Sequence, residues 1–261
     1  MFPTSRDQRN LLLMAFAPRQ VASARVMFRA PGQQVNGLEA VPQGLWLCDQ
    51  RDNHVYLVDY DGRLITSFRS PARNASGITF GAGSVWVASN ARPAMIFRHD
   101  PHTGECTACL VLPGDGGVHG LQWRPYARGE QPPATVEPGP ELHPSAPAGR
   151  LNDGPGVSGT LWVSRPGAHR IDHLDAETGD VLGALPFRPD RSHGMFWDER
   201  DGSLSVAETN GGHIFRFDPR TAELLDEWRI EGPEVHGLSR SADGRVWVGD
   251  ASTNAVLVVD R

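Results

Sequence analysis

A polar residue followed by glycine recurs along this chain at Asn36-Gly37, Ser76-Gly77, His119-Gly120, His193-Gly194 and His236-Gly237. The intervals between these steps are 40, 43, 74 and 43 residues, so three of four lie near forty and one is lengthened by an insertion. The text after each step is alike: an apolar run, a Gly turn, a second apolar run that carries Trp in four units, a third run ending near Asp, and a hairpin signal such as "DPHTG" or "DAETG". Short alternating runs broken by such turns read as antiparallel strands, and a fixed period means one structural unit repeated.

Four strands about every forty residues is the pattern of a propeller blade. The chain 1–261 therefore reads as one all-β domain, a five-bladed β-propeller of four-stranded antiparallel blades, with six blades as the rival arrangement. The fifth unit stops after its third strand at Asp260, so the N-terminal run "ASARVMFRA" is expected to supply the missing outer strand and close the ring. The insertion, residues 124–159, holds eight of the 21 prolines with little apolar periodicity, which reads as an irregular loop within the third unit.

A formal charge of −6 without a Lys/Arg block excludes an electrostatic footprint for nucleic acid or an anionic membrane, and no apolar run approaches the length of a membrane span. A small-molecule partner is expected instead. The run "LLLMAFA" at 11–17 is short for a signal core and follows Asp7, which favours a cytoplasmic location while leaving export open. Three cysteines make no disulfide framework. Cys106 and Cys109 have half of a zinc spacing, but three apart in a strand they should face opposite ways.

Equivalent positions of a propeller form rings about its axis. The residues preceding the glycines, Asn36, Ser76, His119, His193 and His236, should ring the channel mouth on the innermost strands. Each second strand returns to that face, bringing Asp49, Ser89, Arg165, Glu208 and Asp250 beside it. Three imidazoles from consecutive blades with Glu208 nearby suit a divalent transition metal (zinc, iron, manganese, nickel or copper), with open positions for substrate. Asn36, Ser76, Asp49, Ser89 and Arg165 are the expected substrate contacts. Without such a metal, one histidine would serve as general base, with Glu208 or Asp250 orienting it or holding magnesium. His54, His169 and His213 form an outer trio, His99 and His102 flank a hairpin, and Trp46, Trp86, Trp162 and Trp247 occupy one core position.

The segments "VHGLSRSADGRVWVGDASTNAVLVVD" and "SHGMFWDERDGSLSVAETNGGHIFRFDPRTAELLDEW" resemble the virginiamycin B lyase propellers, and more loosely the gluconolactonase and senescence-marker propellers. The first resemblance implies ring opening by metal-assisted elimination, with a His base and an acidic residue one hairpin later near magnesium. Here that pairs His236 with Asp250, fourteen residues apart, and His193 with Glu208, fifteen apart. The expected function is thus a metal-dependent lyase, against two rivals: a metal-dependent lactone or ester hydrolase, and a non-catalytic binding propeller. The family has seven blades where five are counted here, and His119 exceeds its pattern.

Overall fold

The structure, a computed structural model, describes residues 20–112, 114, 116–124, 149–150, 159–185 and 187–260. After β1 (Gln20–Arg29) the strands fall into antiparallel sets of four. The first is β2 (Val35–Val41), β3 (Gly44–Asp49), β4 (His54–Val58) and β5 (Leu64–Arg69), and the second β6 (Ala75–Gly81), β7 (Ser84–Ser89), β8 (Met95–His99) and β9 (Cys106–Val111). The third begins with β10 (Gly120–Arg124), continues after the two-residue β11 (Gly149–Arg150) with β12 (Thr160–Arg165), and ends with β13 (Arg170–Asp175) and β14 (Val181–Ala184). The fourth is β15 (Ser192–Asp198), β16 (Ser203–Glu208), β17 (His213–Asp218) and β18 (Glu223–Ile230); the last is β19 (Val235–Arg240), β20 (Val246–Asp250) and β21 (Ala255–Asp260), completed by β1.

The architecture is a β-propeller. Its first strands touch in the cyclic order β2, β6, β10, β15, β19 and back to β2. Among the described residues, five apolar clusters fill the spaces between neighbouring sets, one per space, including the closing space between the last set and the first. Trp46, Trp86, Trp162 and Trp247 are buried in them. The N-terminal strand does close the ring: β1 pairs antiparallel with β21 from Ser23 to Arg29, and over Gln20–Ala22 it also pairs parallel with β18.

The recurring glycine has a steric reason. A Cβ on Gly37 would press on the backbone at Ser76 and Ile78, one on Gly77 on that at Gly120 and Leu121, and one on Gly120 on the His193 carbonyl. Gly194 likewise faces the backbone at His236 and Leu238, and Gly237 faces Leu38, so each glycine lets its strand approach the next one around the axis.

Two expectations need correction. Cys106 and Cys109 pack against the same apolar cluster, because a register shift at Arg98/His99 pairs Cys106 with His99 and Cys109 with Phe97, two residues of one face. The insertion is not wholly irregular: its residues 149–150 pair with Leu110 and Val111 at the outer edge of the second set. Most of the insertion, like the 11–17 run, lies outside the described residues. Among the described residues no helix is long and apolar enough to cross a membrane.

Candidate active site

The strand pairing brings the two predicted rings to one face, as in Val35 opposite Asp49, Ser192 opposite Glu208 and Val235 opposite Asp250. At the mouth Ser76 Oγ donates to Asn36 Oδ1 at 2.9 Å, both residues fully buried. The three histidines continue the ring. His119 Nδ1 lies 2.8 Å from His193 Nε2, with the rings edge to face, and His193 stacks on His236 at a centroid separation of 3.9 Å and 25° between planes.

This arrangement does not fit the expected tri-histidine metal site. His193 and His236 stack 25° from parallel, and both nitrogens of His193 are engaged, Nε2 by His119 and Nδ1 by Thr209 and the Arg191 carbonyl, so in this arrangement His193 has no free nitrogen to offer an ion. Among the described residues no group of three or more His, Cys, Asp and Glu side chains is placed to hold a metal.

The second-ring side chains are bonded largely to the backbone around them. Glu208 accepts hydrogen bonds from the backbone N–H groups of Asp190 (3.0 Å), Arg191 (2.8 Å) and Asn210 (3.4 Å). Asp250 accepts from Glu234 N (3.0 Å), Ser252 N (3.0 Å) and the hydroxyls of Ser252 and Thr253. Asp49 accepts from the backbone of Gln33, Gln34, Arg51 and Asp52, and Ser89 from Arg73 N. Glu208, Asp250 and Asp49 staple the loop entering their first strand to the turn leaving the second, and Ser89 ties the end of its strand to Arg73 in the entering loop. Arg165 faces the buried Asp172 at 3.3 Å, inside its own set.

Replacing Asp250 by Ala strands the Glu234 and Ser252 amides, so a loss of roughly 1–3 kcal/mol in urea unfolding is expected. An unchanged urea midpoint would refute the staple.

The hydrogen-bond directions around His193 follow from what its partners can do. Thr209 Oγ1 donates to the Val235 carbonyl at 2.7 Å, so toward His193 Nδ1, 2.8 Å away, it acts as acceptor. The Arg191 carbonyl, 3.2 Å from the same nitrogen, can only accept. His193 therefore carries its proton on Nδ1, its Nε2 accepts from His119 Nδ1, and the bare nitrogen of His119 is Nε2. The resulting chain, His119 to His193 to Thr209 to a main-chain carbonyl, fixes both tautomers.

Three residues that sequence reasoning did not single out complete the mouth: Thr209, Arg191 and Glu234. Arg191 pairs with Glu234 at 2.7 Å, and His236 Nε2 lies 3.3 Å from each of these side chains. Arg191 and Glu234 stand two residues before the ring histidines of their sets, where the other units carry Gln34, Asn74 and Gly117, so the repeat gives no signal there. The outer histidines do not orient the trio: His54 sits beside Asp52, His169 bonds the Pro189 carbonyl, and His213 pairs with Glu227. His99 is fully buried against Ser70.

Below the ring, the axial cavity lined by Gly37, Ser76, His119, Gly120, Gly194 and His236 measures about 10 Å³, room for roughly one water. It is too small for anything larger than water, and Arg191, His119 and Glu234 stand at the mouth above it.

Burial, then the charges of His236 and Arg191, lowers the His119 pKa to about 4. Burial also holds His193 well below its ordinary value and His236 below it. His173, stacked on Trp162 with neither ring nitrogen hydrogen-bonded, is lowered by burial to about 4. In the unfolded chain these rings titrate near about 6.5, so from that pH down to about 4 the unfolded state binds more protons and stability falls. The depressed carboxylates, such as Asp198 at about 2, act only at lower pH, and the raised Glu39 and Glu208 oppose the trend. The urea midpoint is expected to drop between pH 7 and pH 4, with about 3 kcal/mol of the loss removed by His173→Phe. An equal drop in that variant would contradict the assignment.

No family model and no curated protein matches the sequence. The fold matches solved structures at low identity. A glutaminyl cyclase from Myxococcus xanthus aligns over 93% of this chain and 98% of its own at 10% identity and a TM-score of 0.65. A streptogramin B lyase structure aligns over 91% and 97% at 16% identity and 0.54. A virginiamycin B lyase from Staphylococcus aureus aligns over 87% and 67% at 17% identity and 0.48. The first two support the propeller fold, and the streptogramin B lyase match agrees with the resemblance drawn from the repeats.

Proposed function

We propose that this chain is a small-molecule enzyme of lyase type that works by acid–base chemistry at the channel mouth, with His119 as the group that moves the proton. The observation that carries this reading is the 2.8 Å contact between His119 Nδ1 and His193 Nε2, anchored through Thr209, which leaves His119 Nε2 bare on a half-buried ring. A neutral, oriented imidazole facing solvent is suited to general base catalysis.

In the elimination, His119 Nε2 takes a proton from the carbon next to a carbonyl. The C–H electrons form the alkene, the C–O bond to the leaving oxygen breaks, and the imidazolium returns its proton to that oxygen. Burial and the Arg191 charge make the imidazolium a strong acid, which favours this return. Arg191 would hold an anionic group of the substrate, exchanging its Glu234 contact for it. The fold shared with a streptogramin B lyase supports the elimination class. The reading contains no metal step, because the candidate ligands do not converge.

A second reading is intramolecular acyl transfer, favoured by the glutaminyl cyclase match, which spans nearly the whole of both chains. Mass spectrometry after incubation with cyclic depsipeptides, simple lactones, esters and glutaminyl peptides separates the chemistries. An alkene product of unchanged mass from a cyclic depsipeptide or lactone, or an alkene and a free acid from an ester, supports elimination; loss of ammonia supports cyclisation, and gain of water supports hydrolysis. Conversion that persists in His119→Gln would overturn the role given to His119, and no conversion in any class would favour the binding-module rival.

A further inference from the structure

A hollow of about 530 Å³ opens between the first and second sets, apart from the channel mouth. That volume lies within the roughly 300–1,000 Å³ of small-molecule sites. Its walls come from three places: Asn53 in the turn between β3 and β4, Arg69 at the end of β5 with Pro71 and Arg73 in the loop that follows, and Cys106 at the start of β9. No residue of the His119–His193–Thr209 chain lines it.

The loop that carries the arginines is fixed by its backbone. Ser70 N donates to the Asn53 carbonyl at 2.9 Å and Ala75 N to Asn53 Oδ1 at 3.0 Å, which ties down both ends. Between them Ser89 Oγ accepts from Arg73 N (3.1 Å) and donates to the Arg73 carbonyl (2.9 Å), and Ser70 Oγ lies 3.1 Å from Nε2 of the buried His99. The side chains of Arg69 and Arg73 themselves are exposed.

The charge of the hollow is one-sided. Two guanidinium groups line it and no carboxylate does, in a chain whose net charge is −6; Asp52 and Glu105, the acids next to Asn53 and Cys106, are not among its walls. Elsewhere in the molecule arginine is matched by acid: Arg63, Arg165, Arg170, Arg191, Arg200 and Arg245 each have a carboxylate oxygen within 3.3 Å. Among the described residues, the Arg69 and Arg73 side chains have neither an ion pair nor a hydrogen bond. Two unused guanidinium forks at one hollow suit a ligand that presents anionic oxygens to both.

We propose that this hollow binds a small dianion of the organic phosphate or dicarboxylate class, its charged oxygens held by Arg69 and Arg73. A monoanion would leave one guanidinium unmatched, whereas two negative charges match the pair. Pro71 offers the carbon skeleton an apolar wall. Occupancy of the hollow does not depend on the reaction proposed for the mouth.

Cys106 reports on the site, because it lines the hollow and is partly exposed while Cys48 and Cys109 are buried. Burial holds its thiol above the ordinary value, so alkylation by iodoacetamide is followed by mass spectrometry at pH 8.5. The probes are glycerol 3-phosphate and succinate, against sodium chloride at equal ionic strength. At about ten times Kd the rate should fall roughly tenfold with at least one dianion and not with chloride, and the dianion that acts distinguishes phosphate from dicarboxylate. Arg69→Gln and Arg73→Gln should each need about tenfold more ligand for the same protection, with Tm within about 2 °C of the parent. Arg191→Gln, altered at the mouth, should keep the protection. No slowing beyond that of chloride with either dianion would overturn the site, as would protection that survives undiminished in Arg69→Gln and Arg73→Gln or is lost in Arg191→Gln.

Discussion

Gly120→Ala should fail to give a stable folded protein, or should melt at least about 10 °C below the parent, a loss of more than about 3 kcal/mol. The added Cβ would overlap the His193 carbonyl oxygen and crowd Ser164 Cβ at 3.3 Å, so backbone rather than a flexible side chain opposes it. The collision cannot be relieved locally, because the neighbouring first strands already meet around the axis with a glycine at every junction. Gly167→Ala is the matched control: its nearest neighbour would be Gly116 Cα at 3.7 Å, and its Tm should stay within about 2 °C. Equal midpoints for the two variants, read by differential scanning calorimetry, would refute the steric account of the repeat.

The second large effect concerns activity. On whichever substrate of the panel is converted, His119→Ala should lower kcat by about 10²–10⁴-fold while leaving the melting temperature close to the parent's, since His119 is the least buried member of the trio. Thr209→Val removes the acceptor that fixes the His193 proton but leaves the base itself. It should cost less activity, and it should lower the pH below which activity is lost no further than the His119 titration allows. Full activity in His119→Ala with loss in His236→Ala would move the base to the Glu234–His236 pair, whose Nδ1 is buried without a partner.

Much of this was legible in the chain itself. The interval between x-Gly steps identified the repeat, the unpaired last unit pointed to the N-terminal strand, and the register placed His119, His193 and His236 on one arc. What could not be read was how the side chains of that arc would turn. Convergence on a metal and face-to-face stacking demand the same residues at the same spacing and differ only in side-chain torsions. The acids at the second-strand ends show the same limit. Glu208, Asp250 and Asp49 were found by position, but their partners are backbone amides, which leave no mark in a sequence. Arg191, Glu234 and Thr209 lie in the connections, where the repeat is least alike.

The central claim is that His119 and His193 form a neutral, directed chain with its bare nitrogen at the mouth. Long-range proton–nitrogen NMR of ¹⁵N-labelled imidazoles at pH 7, assigned with the single His→Gln variants, measures this directly. The structure predicts both rings neutral, both protonated on Nδ1, and His119 Nε2 unprotonated. A charged His119 at that pH, or a His193 protonated on Nε2, would contradict it and remove the base from the site.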